Sequence, residues 1–223
     1  MTVQLDGPRL PPAAGGAPQQ LVIFLHGYGA DGNDLIGLGR EWARLLPHAD
    51  FVSPHAPEEL PGSFGFGGRQ WFALTTRNEH EWEEGVRKAQ PVLEAFILAE
   101  AARHKLPLSS VALVGFSQGT MMALHTGLRL KEAPAAIVGF SGHLAGAGRL
   151  QAEIKCKPPV ILFHGTDDEV IPVQAIHHAS SALAAADVPV EWHVRPNLGH
   201  GIDPEGLMLA GQFLRSAFGV DAR

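Results

Sequence analysis

Short apolar runs recur along the chain, at Leu21–Leu25, Phe51–Ser53, Val111–Val114, Ala135–Phe140 and Val160–Phe163, and a further run, Val190–Arg195, alternates in character. They are β-branched or aromatic and most are bounded by Gly or Pro, the pattern of strands buried on both faces. Between them lie longer stretches with helical spacing. Glu84–His104 is the clearest: Val86, Leu93, Phe96, Ile97 and Ala101 share one side and charges the other, with Pro91 expected to kink the helix or mark a boundary. Gln118–Lys131, Val173–Ala186 and Pro204–Phe218 also read as helices, the last opened by Asp203 as cap and Pro204 at the first helical position. Alternation of this kind specifies an α/β domain, a mainly parallel sheet with helices on both faces.

At 223 residues, with no linker, repeat or charge block, the chain is expected to form a single domain over 21–223. The Pro-, Gly- and Ala-rich segment 1–20 reads as a flexible leader without the basic start and apolar stretch of a secretory signal. With 17 Lys and Arg against 23 Asp and Glu, the net charge of −6 argues against a grip on nucleic acid or anionic lipid. No apolar run approaches the roughly 20 residues of a membrane span, so stable membrane insertion is not expected and the location is read as cytoplasmic. The single cysteine, Cys156, excludes an intramolecular disulfide and reads as an inert thiol. Residues 58–70 are Gly-rich and carry Phe64 and Phe66, the composition of a lid over an apolar pocket or of an ordinary surface loop; these aromatics could equally serve a homodimer contact.

The chemistry centres on Gly115-Phe116-Ser117-Gln118-Gly119, a G-x-S-x-G motif with an apolar run before it and a helical stretch after it. A serine on such a strand-to-helix turn is held above the sheet beside amides that favour developing negative charge, and the turn needs small residues two before and two after it. Serine requires a base, and the base an orienting acid, in the chain order Ser, acid, His. His200, flanked by Gly199 and Gly201 after the run ending at Arg195, fits the base. The acid lies after Val160–Phe163, where Asp167, Asp168 and Glu169 are alternatives on residue chemistry alone. Two backbone N–H groups should bind the oxyanion: that of Gln118, and that of Tyr28 in the glycine-punctuated Leu25-His26-Gly27-Tyr28-Gly29. His26 is read as a structural hydrogen-bonder.

Together, Leu25–Gly32 (L-H-G-Y-G-A-D-G), Pro54-His55-Ala56-Pro57, the Ser117 motif, His164-Gly165 with Asp168, and Gly199-His200 resemble the phospholipase/carboxylesterase family, which includes bacterial carboxylesterases and acyl-protein thioesterases. The resemblance implies an α/β-hydrolase fold without a large cap domain and a catalytic triad of Ser117, Asp168 and His200. Its H-G-x-x-D pattern selects Asp168 as the acid, and its oxyanion donors correspond to Tyr28 and Gln118. It also makes Trp71 and Phe72 a wall of the acyl pocket; with Phe64 and Phe66 of the lid-like loop they are the candidate substrate-binding residues. Members acting on acylated proteins have a leucine where this chain has Tyr28, and the stretch Phe64–Arg69 looks more like that of the bacterial esterases.

The expected activity is therefore that of a serine carboxylesterase on a small-molecule acyl ester of small to medium chain length. The alternatives are a thioesterase or lysophospholipase on longer chains, a lyase or acyltransferase using the same triad, and a non-catalytic binding protein on the same fold. The 12 histidines show no metal-ligand spacing, and His177-His178 would point about 100° apart on a helix. No phosphate loop or dinucleotide fingerprint is present, so no cofactor is expected. Ser141-Gly142-His143 is read as a wall or a turn, and Trp42, Trp82 and Trp192 as core or surface anchors. A histidine base predicts turnover that rises with pH through an imidazole ionisation, nominally about 6.5; a pH–rate profile flat from about pH 5 to 8 would count against His200.

Overall fold

The computed structural model describes residues 4–60 and 67–220. In chain order the elements are β1 (Arg9–Leu10), β2 (Gln20–Leu25), α1 (Gly32–Ile36), α2 (Leu38–Trp42), β3 (Ala49–Val52), β4 (Glu58–Glu59), β5 (Arg69–Gln70), α3 (Glu79–His104), β6 (Val111–Phe116), α4 (Gln118–Gly127), β7 (Ala136–Phe140), α5 (Leu150–Glu153), β8 (Val160–Gly165), α6 (Gln174–Ala185), β9 (Val190–Arg195) and α7 (Pro204–Ala217). Seven strands form one sheet in the order β1-β3-β2-β6-β7-β8-β9, while β4 and β5 pair separately. All neighbours in the main sheet are parallel except β1, which runs antiparallel to β3.

Successive side chains on a strand point to opposite faces, and the core divides accordingly. Leu21, Ile23 and Leu25 of β2 join Leu113 of β6 on the face covered by Val86, Leu93 and Ile97 of α3, Met122 of α4 and Ile176 of α6. Val22 and Phe24 join Val114 on the other face, against Trp42 of α2 and Ala210 and Leu214 of α7. The runs read as doubly buried strands are doubly buried because helices cover both sides. The expected α/β architecture is found, with no large cap among the described residues.

Segment 1–20, expected to be a flexible leader, is corrected in part: Arg9 and Leu10 pair with Val52 and Phe51 at the sheet edge. The amides of Ser53 and His55 donate to the carbonyls of Pro8 and Asp6, and Leu5 is buried. Proline and glycine are compatible with a short edge strand, where one side of the backbone has no ladder to complete. Arg9 further donates to both carboxylate oxygens of the buried Glu100 on α3, at 2.5 and 2.8 Å, which ties the segment across the domain.

Two helix expectations also shift. α3 begins at Glu79, five residues before the expected Glu84, because Asn78 is an N-cap whose side chain accepts the Glu81 amide at 2.9 Å. Pro91 neither breaks nor bounds the helix; it sits on the exposed face, where a carbonyl deprived of its partner can turn to solvent.

α4 is buried along its whole length, and this includes His125, whose ring nitrogens have no hydrogen-bond partner among the described residues. Burial first, then the cations of Arg129 and Arg87, push its pKa from 6.5 down to about 3. An unfolded chain takes up this proton near 6.5 while the folded chain does not, so stability conferred by the neutral ring is full above that pH and falls as pH drops toward 3. Urea unfolding at about pH 7 and about pH 5 should show wild type losing ~2 kcal/mol more than His125→Leu over that interval; equal losses would refute the assignment.

Candidate active site

The C-terminal ends of the parallel strands lie along one rim of the sheet, and the loops leaving β2, β6, β8 and β9 carry the residues singled out from the sequence. Ser117 lies between β6 and α4 with φ 54° and ψ −116°, a conformation costly for a residue with a Cβ. Neighbouring backbone enforces it. A Cβ on Gly119 would overlap the Leu25 carbonyl oxygen, and one on Gly115 would overlap the Gly119 carbonyl and the Thr120 amide. The Ser117 amide donates to the Phe140 carbonyl at 2.9 Å, and the Thr120 hydroxyl holds the Gly115 carbonyl at 2.8 Å. The turn thus locks the ends of three strands to the first turn of α4, as the small-residue spacing required.

His200 and Asp168 meet across the loops after β9 and β8. The Nδ1 of His200 lies 2.8 Å from Oδ2 of Asp168, and the imidazole packs on the Phe116 ring at a centroid distance of 4.9 Å. The side chain of Asp168 is fully buried; its Oδ1 accepts the amides of Val170 and Ile171 at 2.9 and 2.8 Å. Its two neighbours are placed differently: Asp167 accepts the Thr166 hydroxyl on the exposed side, and Glu169 is exposed. Beneath the pair, Nε2 of the buried His164 lies 2.8 Å from the Ile171 carbonyl and 3.2 Å from Oδ2 of Asp168. Burial holds the His164 pKa below its ordinary value, against the pull of that carbonyl and of Asp168, so the ring is a neutral N–H donor to them. Ser141, expected as a wall or a turn, donates its hydroxyl to the Gly201 carbonyl at 3.0 Å and so braces the loop carrying His200.

On the other side of Ser117, Tyr28 and Gln118 line the same pocket as Ser117 and His200. Gln118 opens α4, so its amide has no acceptor within the helix. The loop carrying Tyr28 is fixed from behind. His26 Nε2 accepts the Ala56 amide at 3.0 Å, which leaves the proton on Nδ1 to bind the Gly27 carbonyl at 2.8 Å. Burial lowers the pKa of this ring, in keeping with its neutral, structural part. β5 adds a backbone link, with the Gly29 amide donating to Arg69 and the Arg69 amide to Ala30, each at 2.8 Å.

Trp71 and Phe72, candidates for substrate contact, lie behind the site instead of lining the pocket. The Trp71 amide donates to Oε1 of Gln118 and the Gln118 side-chain amide donates to the Phe72 carbonyl, while the Trp71 indole donates to the His26 carbonyl. Trp71 is thus tied to the loop carrying Tyr28, while the Phe72 ring packs against Gly85 of α3: a bulky pair next to a site reads from sequence as a wall, and only the register of the hydrogen bonds turns it inward. Phe64 and Phe66, within residues 61–66 of the expected lid 58–70, lie outside the described residues.

The pocket encloses about 520 Å³, and its apolar wall is formed by Leu74, Trp82, Phe116, Met121, Val170, Ile171 and Pro172, with Arg77 on the rim. Trp82, expected as a core or surface anchor, is instead part of this wall, one helical turn before the buried Val86. Its indole is packed 4.8 Å from the ring of His143, itself paired with Glu79 at 2.9 Å. Among the described residues, no group of three or more His, Cys, Asp or Glu is placed to hold a metal, and no helix is long and apolar enough to cross a membrane.

Comparison with known proteins identifies the family. The family model of phospholipase/carboxylesterase matches residues 13–218. A crystal structure of esterase PE8 superposes with a TM-score of 0.91 at 43% identity, covering 96% of this chain and all of that one. Acyl-protein thioesterase 1 of Gibberella zeae is 30% identical over 87% of this chain and 88% of its own length. Esterase YpfH of Escherichia coli is 28% identical over 88% of this chain and 82% of its own. The chain belongs to the phospholipase/carboxylesterase family and is a hydrolase acting on esters.

The close approach at the turn makes a sharp contrast testable. Gly119→Ala should destabilise the fold by about 3 kcal/mol or more, since the added methyl meets backbone that cannot yield. Gly148→Ala, which faces open space, should stay within about 0.5 kcal/mol of wild type in the same urea titration.

Proposed function

We propose that this family member is a serine carboxylesterase that hydrolyses small to medium acyl esters through an acyl-enzyme on Ser117. The observation that carries the reading is the bond between His200 Nδ1 and the buried carboxylate of Asp168, 2.8 Å long, in a site where Ser117 and His200 line one pocket. With Nδ1–H donated to Asp168, Nε2 of His200 is the free base. It takes the Ser117 proton as the oxygen attacks the acyl carbonyl, and Asp168 stabilises the resulting imidazolium. The amides of Tyr28 and Gln118 receive the oxyanion; in comparable sites each such donor is worth roughly 2.7–4 kcal/mol. His200 then protonates the departing alcohol and activates the water that releases the acid.

The similarity to a protein called an esterase, at 43% identity, supports ester substrates. A second reading, hydrolysis of longer acyl thioesters, draws support from relatives called acyl-protein thioesterases and from an apolar wall seven residues in extent.

A fluorophosphonate probe read by intact mass tests the reading directly. One adduct on wild type and none on Ser117→Ala is the expected result, and no adduct on folded wild type would overturn it. A series of p-nitrophenyl esters and matched thioesters then separates the two substrate classes: a kcat/KM maximum at about eight carbons or more, or on thioesters, favours the second.

A further inference from the structure

Away from Tyr28, Ser117, Gln118 and His200, the described pocket wall is apolar except at Arg77. Among the described residues lining it, Arg77 is the only Lys, Arg, Asp or Glu, and it is exposed at the rim beside Leu74. Its backbone is in the left-handed region, with φ 53°, which a side-chain-bearing residue adopts only when its surroundings demand it. The demand comes from Glu81, whose carboxylate accepts the amides of Thr75 at 2.7 Å, Thr76 at 2.9 Å and Arg77 at 2.6 Å. The loop is therefore wrapped around an anion belonging to the first turn of α3, and the root of the Arg77 side chain is fixed at the pocket rim.

The acidic groups that begin α3 are otherwise engaged. Glu79 pairs with His143 at 2.9 Å, Glu81 holds the loop amides, Glu83 binds Arg87 at 3.2 Å, and Glu84 lies 3.5 Å from His80. Among the described residues no carboxylate forms an ion pair with Arg77; the same holds for Arg40, Arg44 and Arg215, which do not line this pocket, whereas Arg9, Arg69, Arg87, Arg103, Arg129, Arg149 and Arg195 each have at least one. A plain hydrocarbon acyl group gives a guanidinium no role at the edge of this pocket. A carboxylate or phosphate at the far end of a short apolar spacer would meet it in the fork geometry that guanidinium favours.

We propose that Arg77 is an anion-recognition residue, and that the preferred substrates are esters bearing a carboxylate or phosphate separated from the scissile carbonyl by a short apolar spacer. The proposal rests on Ser117 chemistry as described above and deepens it by naming the substrate class. The local cation also offsets the repulsion of such substrates by a chain of net charge −6.

Two matched pairs test it. On the acyl side, the p-nitrophenyl monoester of octanedioic acid is compared with p-nitrophenyl octanoate; on the alcohol side, the butyrate ester of glycerol phosphate with that of glycerol. The expected result is a wild-type kcat/KM that favours the anionic member of at least one pair, with an advantage that shrinks as salt is added. Arg77→Gln should lower the anionic-to-neutral ratio by about 10- to 100-fold, chiefly through KM, and Arg77→Lys should recover part of it. The pair that responds tells whether the anion lies on the acid or on the alcohol. Neutral esters cleaved with no anionic advantage in either pair, or a ratio unmoved by Arg77→Gln, would overturn the proposal while leaving ester hydrolysis intact. Absence of both turnover and probe adduct on folded wild type would overturn both.

Discussion

Everything at this site hangs on the contact between Gly119 and the carbonyl of Leu25. Because nothing larger than hydrogen fits between them, the first turn of α4 sits directly on the end of β2. That single approach sets the distance between the loop carrying Tyr28 and the turn carrying Ser117. The strain at Ser117 is sustained by the sheet beneath it, whose parallel ladders from β2 to β9 bring the loops of four strands to one rim. Strain stored in a short turn persists only where its surroundings over-determine it, and here the surroundings are the middle of the sheet.

The acid side of the site follows the same logic with hydrogen bonds in place of close packing. A buried carboxylate is costly unless it is fully paired. Asp168 is approached by two backbone amides, by His200 and by the neutral His164. Three of these neighbours are fixed by the fold around β8 and one by the loop after β9, so the carboxylate holds His200 in orientation without depending on solvent. Ser141 and the Phe116 ring complete the support of that loop.

Much of this was legible in the sequence because it depends on local chemistry. Apolar runs bounded by turn formers must be buried strands, and glycines two before and two after a serine describe a tight turn. What was not legible depends on where distant segments meet. Asp168 could not be told from Asp167 by residue type, since the distinction is which one the loop turns inward. Trp82 falls before Glu84, the expected start of the helix, and so reads as a core or surface anchor; it joins the pocket wall because α3 begins early, under the Asn78 cap. Trp71 and Phe72 miss the pocket for the converse reason, since the side chain of Gln118 straps their backbone behind the site. The edge strand at Arg9–Leu10 was hidden by a composition suited equally to an extended edge and to no structure.

The loop held by Glu81 is anchored through the backbone amides of Thr75, Thr76 and Arg77, so the side chains of Thr75 and Arg77 carry none of the bonds that fix its path. Their identities can drift without disturbing the turn at Ser117 or the pair at Asp168. A lineage carrying this scaffold can therefore explore new diets one surface substitution at a time, while the machinery that cuts the bond is inherited unaltered.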